Sequence, residues 1–315
     1  MSTKPRQSDA SENSLELALA AQRGRFMGLA YRMSGSRSDA EDILQDAYIK
    51  IQSIDHSEVH NPEAFLVTMI SRMCLDKQKS AHSRREVYVG PWLPEPILDA
   101  EELTPHSSNE LADDLSFALL LTLQKLSAAE RASFLLHDVF DIPFTQVSRI
   151  LNKSEAACRQ LATRARKSIH ADRPSSTVSP DEHASLLAQF AEAASSGNTE
   201  QLANLLCEDV IAYTDGGGQK ISALRPIYGA AKVSRFFVGI TRKFLARNNH
   251  VEIMLGGING TPGLLIKNNE SIEETVSIKI EDGKIKAFYV VRNPQKLQTL
   301  NLDGFASEPG FAPKS

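Results

Sequence analysis

Cysteine is scarce in this sequence of 315 residues: Cys74, Cys158 and Cys207 are odd in number and far apart. That pattern excludes a disulfide scaffold, offers no CxxC knuckle to a metal, and fits a reducing compartment. Long apolar runs are missing as well. The most apolar stretch, Leu115 to Leu123, is far too short to span a bilayer, and the polar start MSTKPRQSDASENS has no apolar secretion core. Neither sign of charge dominates, since 35 Lys and Arg face 39 Asp and Glu for a formal net charge of -4. The chain is therefore no polycation that coats nucleic acid indiscriminately, and any nucleic-acid surface must be local. The expectation is a cytoplasmic protein with no membrane partner. What is present is ordinary globular composition, 42% hydrophobic and 23% charged, and at roughly 150 residues per domain the length suggests two units, or three if one is small.

Residues 1–14 carry no apolar period and read as a flexible tail. Helical periodicity runs from Leu15 through Phe26, Leu29 and Met33 to a break at Ser34-Gly35-Ser36. Ser38 with Glu41 suggests a capping box opening the next helix, whose apolar stripe is Ala40, Ile43, Leu44, Ala47, Tyr48 and Ile51. A third helix starts after Asn61-Pro62 and ends in the basic run Lys77, Lys79, Arg84 and Arg85. The stretch from Pro94 to Asp114 has seven acidic residues, no Lys or Arg, and three prolines, a linker by composition. Helix resumes from Leu115 to Leu126, and Ser127 with Glu130 makes a second capping box. After the Pro/Ser-rich Arg173 to Pro180 the character changes. Helices around Leu186–Ala194 and Glu200–Leu206 give way to strands at Val210–Thr214, Val251–Leu255, Leu264–Lys267 and Val276–Val291, the last containing an Asp282-Gly283 hairpin signal.

Between Phe144 and Ile169 the spacing is that of a helix-turn-helix: an apolar stripe of Val147, Ile150 and Leu151, a turn at Asn152-Lys153, and Ser154 as N-cap of a second helix. On that helix Ala157, Leu161 and Ala165 can face a core, leaving Arg159, Gln160, Thr163, Arg164, Arg166 and Lys167 outward. From Lys153 to Arg173 six basic residues meet two acidic ones, a local excess of +4 that a phosphate backbone would reward. The competing reading is a solvated amphipathic helix; the turn and the cap favour DNA.

Other groups stand out less sharply. Asp42, Gln45 and Asp46 form a compact acidic and polar patch beside the apolar stripe. Arg72, Lys77, Lys79, Arg84 and Arg85, with His82, could track a melted strand; a basic helix end answering its own dipole would explain only part of that run. Trp92, the one tryptophan, lies between Pro91 and Leu93, where an indole is wasted unless it docks. Asp215-Gly216-Gly217-Gly218 can turn tightly and let another backbone approach, but no Gly-Lys-Ser/Thr follows to make a phosphate loop. His56 and His60 sit four apart, yet Ser57 stands where a zinc-binding HExxH needs Glu, and no metal site is expected.

These residues resemble the extracytoplasmic-function (ECF) sigma factors, promoter-recognition subunits of bacterial RNA polymerase. FMGLAYRMSGSRSDAEDILQDAYIKI and NPEAFLVTMISRMCLDKQKSAHSRR are similar to the region that binds polymerase and melts the minus-10 element, and SEAACRQLATRARKSI to the minus-35 recognition helix. The remaining third resembles a SnoaL-like domain, the cone-shaped α+β fold of ketosteroid isomerases, carried by a subgroup of these factors. YVGPWLPEP, DGGG at Asp215 and NPQKL at Asn293 look like that subgroup's signatures, with Gln295 where an acidic residue is expected.

The resemblance implies two all-α domains, sigma region 2 (15–86) and sigma region 4 (113–172), and an α+β regulatory domain (181–298), joined by linkers at 87–112 and 173–180 and followed by a tail at 299–315. It implies that Asp42, Gln45 and Asp46 grip core polymerase and that Arg72, Lys77, Lys79, His82, Arg84 and Arg85 meet the minus-10 element. The minus-35 element falls to Ser154, Arg159, Gln160, Thr163, Arg164, Arg166 and Lys167. Interdomain regulation falls to Trp92, Leu93, Pro94, Asp215, Gly216, Gly217, Gly218, Asn293, Pro294 and Lys296. No cofactor and no catalytic residue is expected, with room left for a small-molecule ligand in the SnoaL-like domain. Two alternatives stand beside this reading: a ligand-sensing helix-turn-helix regulator that binds DNA alone, and a cyclase or isomerase fused to DNA-binding helices, for which Asp215 and Tyr213 would be the catalytic candidates.

Overall fold

The computed structural model describes residues 8–55, 59–98, 114–172, 178–247, 251–269, 271–300, 302 and 308–311. They gather into two compact units. One comprises the described residues of 1–83 and 122–171 with residue 114, the other those of 84–100, 115–121 and 172–315.

The first unit is helical. α1 (Ser8–Ala21), α2 (Arg23–Ser34), α3 (Arg37–Ile51) and most of α4 (Pro62–Glu86) form its first part. The second part is the end of α5 (Phe117–Lys125), α6 (Ala128–Phe134) with a π-helical turn at Leu135–Val139, α7 (Phe144–Leu151) and α8 (Glu155–Asp172). Several expectations are corrected here. The supposed tail is helical from Ser8, and the long period from Leu15 to Met33 is two helices, broken at Gln22 (φ -113°, ψ 20°), whose side chain accepts from Arg25 Nη1 at 3.0 Å. The cap of α3 is Ser36, not Ser38: Ser36 is extended, and its Oγ accepts from the Asp39 N–H at 3.0 Å. Tyr48 is 45% exposed, because the buried stripe of α3 closes with Ala40, Ile43, Leu44, Ala47 and Ile51 alone. The Ser127–Glu130 capping box is present, and Asn61 Oδ1 caps α4 through the Ala64 N–H.

The second unit is α+β. A seven-stranded sheet runs in the order β2-β1-β6-β5-β4-β3-β7, with β1 (Leu206–Asp215) parallel to β6 (Lys284–Val291) and its other neighbours antiparallel. The remaining strands are β2 (Ile227–Tyr228), β3 (Val251–Ile258), β4 (Thr261–Asn268), β5 (Ser271–Glu281) and β7 (Glu308–Phe311). The β5–β6 hairpin turns at Asp282 (φ 50°) and Gly283 (φ 73°), the left-handed pair that a two-residue turn requires. α9 (Pro180–Ser196), α10 (Thr199–Asn204) and α11 (Ala230–Leu245) pack on one sheet face around Phe190, Phe237 and Phe288, whose rings lie 4.5–5.0 Å apart. α11 is absent from the sequence expectations.

The other sheet face is covered differently. Leu93 and the first turns of α5, through Phe117, join Ile258, Tyr289, Val291 and Leu297 in a second core. The acidic stretch is thus no loose linker where it is described: Leu93, Pro94, Glu95, Pro96 and Ile97 are all buried. Prolines deny this segment helix but suit an extended strap, and its apolar side chains supply burial of about 1.5–3 kcal/mol each.

Candidate nucleic-acid interface and strap seat

In the helical unit, α7 ends at Asn152, whose left-handed φ of 51° makes the turn, and Ser154 Oγ caps α8 through the Ala157 N–H at 3.2 Å. α8 buries Cys158, Leu161, Ala162, Ala165 and Ile169, with Ala157 only half-buried, a phase slightly turned from the expected stripe. Ser154, Arg159, Gln160, Thr163, Arg164 and Lys167 are exposed. Arg166 is not wholly outward as expected: it is half-buried, its Nε 2.7 Å from Asp138 Oδ1. Arg164 Nε pairs with Glu130 Oε1 at 2.8 Å, and Arg159 lies 4.7 Å over the Phe144 ring. The Ser127 hydroxyl, together with Arg164, holds the Glu130 carboxyl below its usual range.

On α3, Asp42, Gln45 and Asp46 share the exposed face. Lys77, assigned above to DNA, also reaches that patch: its Nζ lies 2.8 Å from Asp42 and 3.2 Å from Asp39. Partial burial opposes its charge, but the two carboxylates prevail and raise its pKa. Arg72 is exposed and donates to the Arg149 carbonyl at 3.0 Å. The side chains of Lys79, His82, Arg84 and Arg85, and all of His56, lie outside the described residues.

The two halves of this unit are stitched by side chains that donate to carbonyls. Across the halves, Arg131 gives Nη1 to Met33 O at 2.5 Å, Gln146 reaches Ala64 O at 3.1 Å, Arg25 reaches Phe140 O at 2.9 Å and Arg72 reaches Arg149 O at 3.0 Å, while Arg131 Nε donates to Leu123 O at 2.7 Å within the second half.

The α+β unit brings together three motifs distant in sequence. Asp215, wholly buried at the end of β1, accepts four hydrogen bonds: from Tyr88 Oη (2.6 Å) and Gly217 N (3.1 Å) on Oδ1, and from Leu93 N (2.9 Å) and Lys296 Nζ (2.7 Å) on Oδ2. Lys296 also donates to the Leu93 carbonyl and sits 4.0 Å over the half-buried Trp92 ring. Asn293 caps α12 (Pro294–Leu297) and gives Nδ2 to Tyr88 Oη at 2.7 Å. Burial and the neighbouring Asp215 carboxylate push the Tyr88 hydroxyl well above its ordinary pKa, so it stays a donor.

Gly217 needs to be glycine. Its φ is 59°, and an added Cβ would stand 2.4 Å from Asn293 Nδ2. At Gly216 a Cβ would meet the Lys220 carbonyl at 2.2 Å, and Gly218 lies against Val89 of the strap. Gln295 is exposed and lends only its backbone N–H, to Asn293 Oδ1, so the missing acidic side chain faces away from the seat. Sequence reasoning missed Tyr88, although it stands in the quoted YVGPWLPEP. It also missed Asn259, a buried residue with φ of 54° that pairs with Ile97 through both its backbone and its side chain.

Residues 20–85 match the protein family Sigma-70 region 2, and residues 116–169 match Sigma-70, region 4. The ECF RNA polymerase sigma factor SigJ of Mycobacterium tuberculosis is 35% identical over 299 residues, which span 92% of this chain and 95% of that protein. The chain belongs to the ECF sigma-70 family. The family's probable SigI of the same species is 30% identical over 290 residues, 91% of this chain and 96% of that one. The crystal structure of M. tuberculosis SigJ superposes with a TM-score of 0.67 at 32% identity, covering 90% of this chain and 97% of that one. This ECF sigma factor is thus a transcription-initiation factor rather than an enzyme, with helical region 2 and region 4 parts and a C-terminal α+β domain.

Proposed function

We propose that this sigma factor directs core polymerase to its promoters through two helical faces and that its α+β domain regulates it in cis through the strap. Asp42, Gln45 and Asp46 bind core polymerase, the C-terminal part of α4 engages the minus-10 element, and the exposed face of α8 reads minus-35. The two elements lie about 25 base pairs apart, about 85 Å of duplex at 3.4 Å per step, whereas a compact unit of this size is about 40 Å across. The two halves of the helical unit therefore separate on the promoter, and the bonds that Arg131, Gln146, Arg25 and Arg72 make to carbonyls of the other half are released.

The observation that carries the regulatory reading is the strap seat. A buried carboxylate with four donors holds the segment that joins region 2 to region 4, so the domain controls the tether between them. The same geometry argues against catalysis by Asp215, because both its oxygens are engaged and it faces the strap rather than a cavity. Footprinting of a promoter with purified core polymerase and the full chain tests the assignment. Protection of both elements with core, lost on Asp46→Lys, is the expected result; protection by the protein alone, indifferent to that change, favours a stand-alone regulator.

A further inference from the structure

Between α9, α11 and the sheet lies a cavity of about 70 Å³, open to solvent on one side and walled by Phe190, Phe237, Phe244 and Leu264. Two charged side chains face it, Glu274 on β5 and Arg292 just beyond β6. Strand alternation puts them on the face that also presents Val276 and Val290 to the helices. The Arg292 side chain is nine-tenths buried. Its Nη1 donates to the Ile221 carbonyl at 2.5 Å, and its Nε stands 3.0 Å from Glu274 Oε2 without completing a hydrogen bond. Burial raises the Glu274 pKa against the pull of Arg292. An ion pair in an apolar wall carries a desolvation cost that hydrophobic side chains of similar volume would avoid, and an unmade bond at Arg292 adds to it.

The pair presents donors and an acceptor side by side. A hydroxyl answers both with one oxygen, accepting from Arg292 and donating to Glu274, whereas a carboxylate meets the Glu274 charge and an ammonium meets Arg292. The volume is about half of the ~150 Å³ that takes benzene in an engineered cavity, so one ring enters with part of it in the open mouth. Arg292 also clasps the loop that forms the strap seat from both ends: its backbone N–H donates to the Asp215 carbonyl at 2.7 Å and its guanidinium to Ile221.

We infer that this cavity binds a small neutral molecule bearing one ring and a hydroxyl group, held by Arg292 and Glu274, and that Arg292 transmits its occupancy to the seat of Asp215. The second half of this inference rests on the strap as the regulated element; the binding half stands alone.

Ligand-observed NMR on the full-length protein, with phenol, toluene, benzoate and benzylamine as probes, tests it. Phenol is expected to bind about tenfold tighter than toluene, the worth of one charge-assisted hydrogen bond, with benzoate and benzylamine weaker than phenol. Arg292→Met is expected to bring phenol down to the level of toluene. Because Arg292 also pins Ile221, Ser195→Leu at the cavity wall is the second variant, expected to exclude phenol while keeping the melting temperature. Phenol is also expected to shift the emission of Trp92 in the unmodified protein. Phenol no tighter than toluene, or a preference that survives Arg292→Met in a folded protein, overturns the site; unchanged Trp92 emission at saturating phenol overturns the coupling. No arm reads transcription, so failure here is separable from failure of cis-regulation.

Discussion

Replacing Lys296 by Met leaves the Asp215 carboxylate buried with three neutral donors and no countercharge. Asp215 is 0% exposed and the Lys296 side chain 7%, so water reaches neither. Removing one partner of such a pair costs about 3–5 kcal/mol, most of it the stranded charge. Asp215→Asn strands the ammonium instead and should cost a similar amount. The double change Asp215→Asn/Lys296→Met leaves no charge behind, so its cost should fall short of the sum of the single costs by about 2 kcal/mol or more. Trp92 supplies the assay, being the one tryptophan and stacked under Lys296. Urea unfolding followed by its emission reports the seat itself. Single changes that cost under about 1 kcal/mol, or a strictly additive double, would refute the claim that this ion pair holds the strap.

Other expectations follow from the same geometry. Gly217→Ala, with φ of 59° and its Cβ forced onto Asn293, should release the strap and increase proteolysis near Trp92 while leaving α9–α11 intact. His183, buried with an unpartnered Nε2, has its pKa lowered by burial from 6.5 to about 4. The unfolded chain therefore binds the extra proton first, and stability is full above pH 6.5 and falls by about 1.4 kcal/mol per unit between there and pH 4. Thermal melts across that window should show the slope, and His183→Gln should flatten it. Arg131→Leu removes the one Arg131 bond that crosses the halves, to Met33 O, about 1.5–3 kcal/mol, and should let a fluorophore pair on α2 and α6 separate more readily; a distance distribution identical to the unmodified protein's would count against an opening unit.

The local part of this structure was legible because local physics writes it. Ser127 with Glu130, the turn at Asn152 and the Asp282-Gly283 hairpin each need residues within a few positions of one another, and each stands where the sequence places it. The cap of α3 was misplaced by two residues because Ser36 and Ser38 both stand at its start and only backbone geometry shows that Ser36 is the cap and Ser38 already lies in the first turn. The phase of α8 was nearly right, but Arg166 has a partner in Asp138, 28 residues away, which no periodicity reveals. The strap seat was legible only as separate motifs. Asp215 is 122 residues from Leu93 and 81 from Lys296, and what joins them is the sheet, which places the end of β1 beside α12. α11 was legible but passed over: Val233, Phe237, Ile240 and Phe244 recur at helical spacing and pack toward the core, with Lys232, Arg235, Arg242 and Lys243 between them.

Run-off transcription by purified core polymerase tests the central claim most directly, comparing the full chain, its Lys296→Met variant and a truncation after Arg173 on one promoter selected by the holoenzyme. The account predicts transcripts from the full chain and a changed level from both altered forms, in the same direction. Identical levels from all three would contradict control of the factor by its own C-terminal domain.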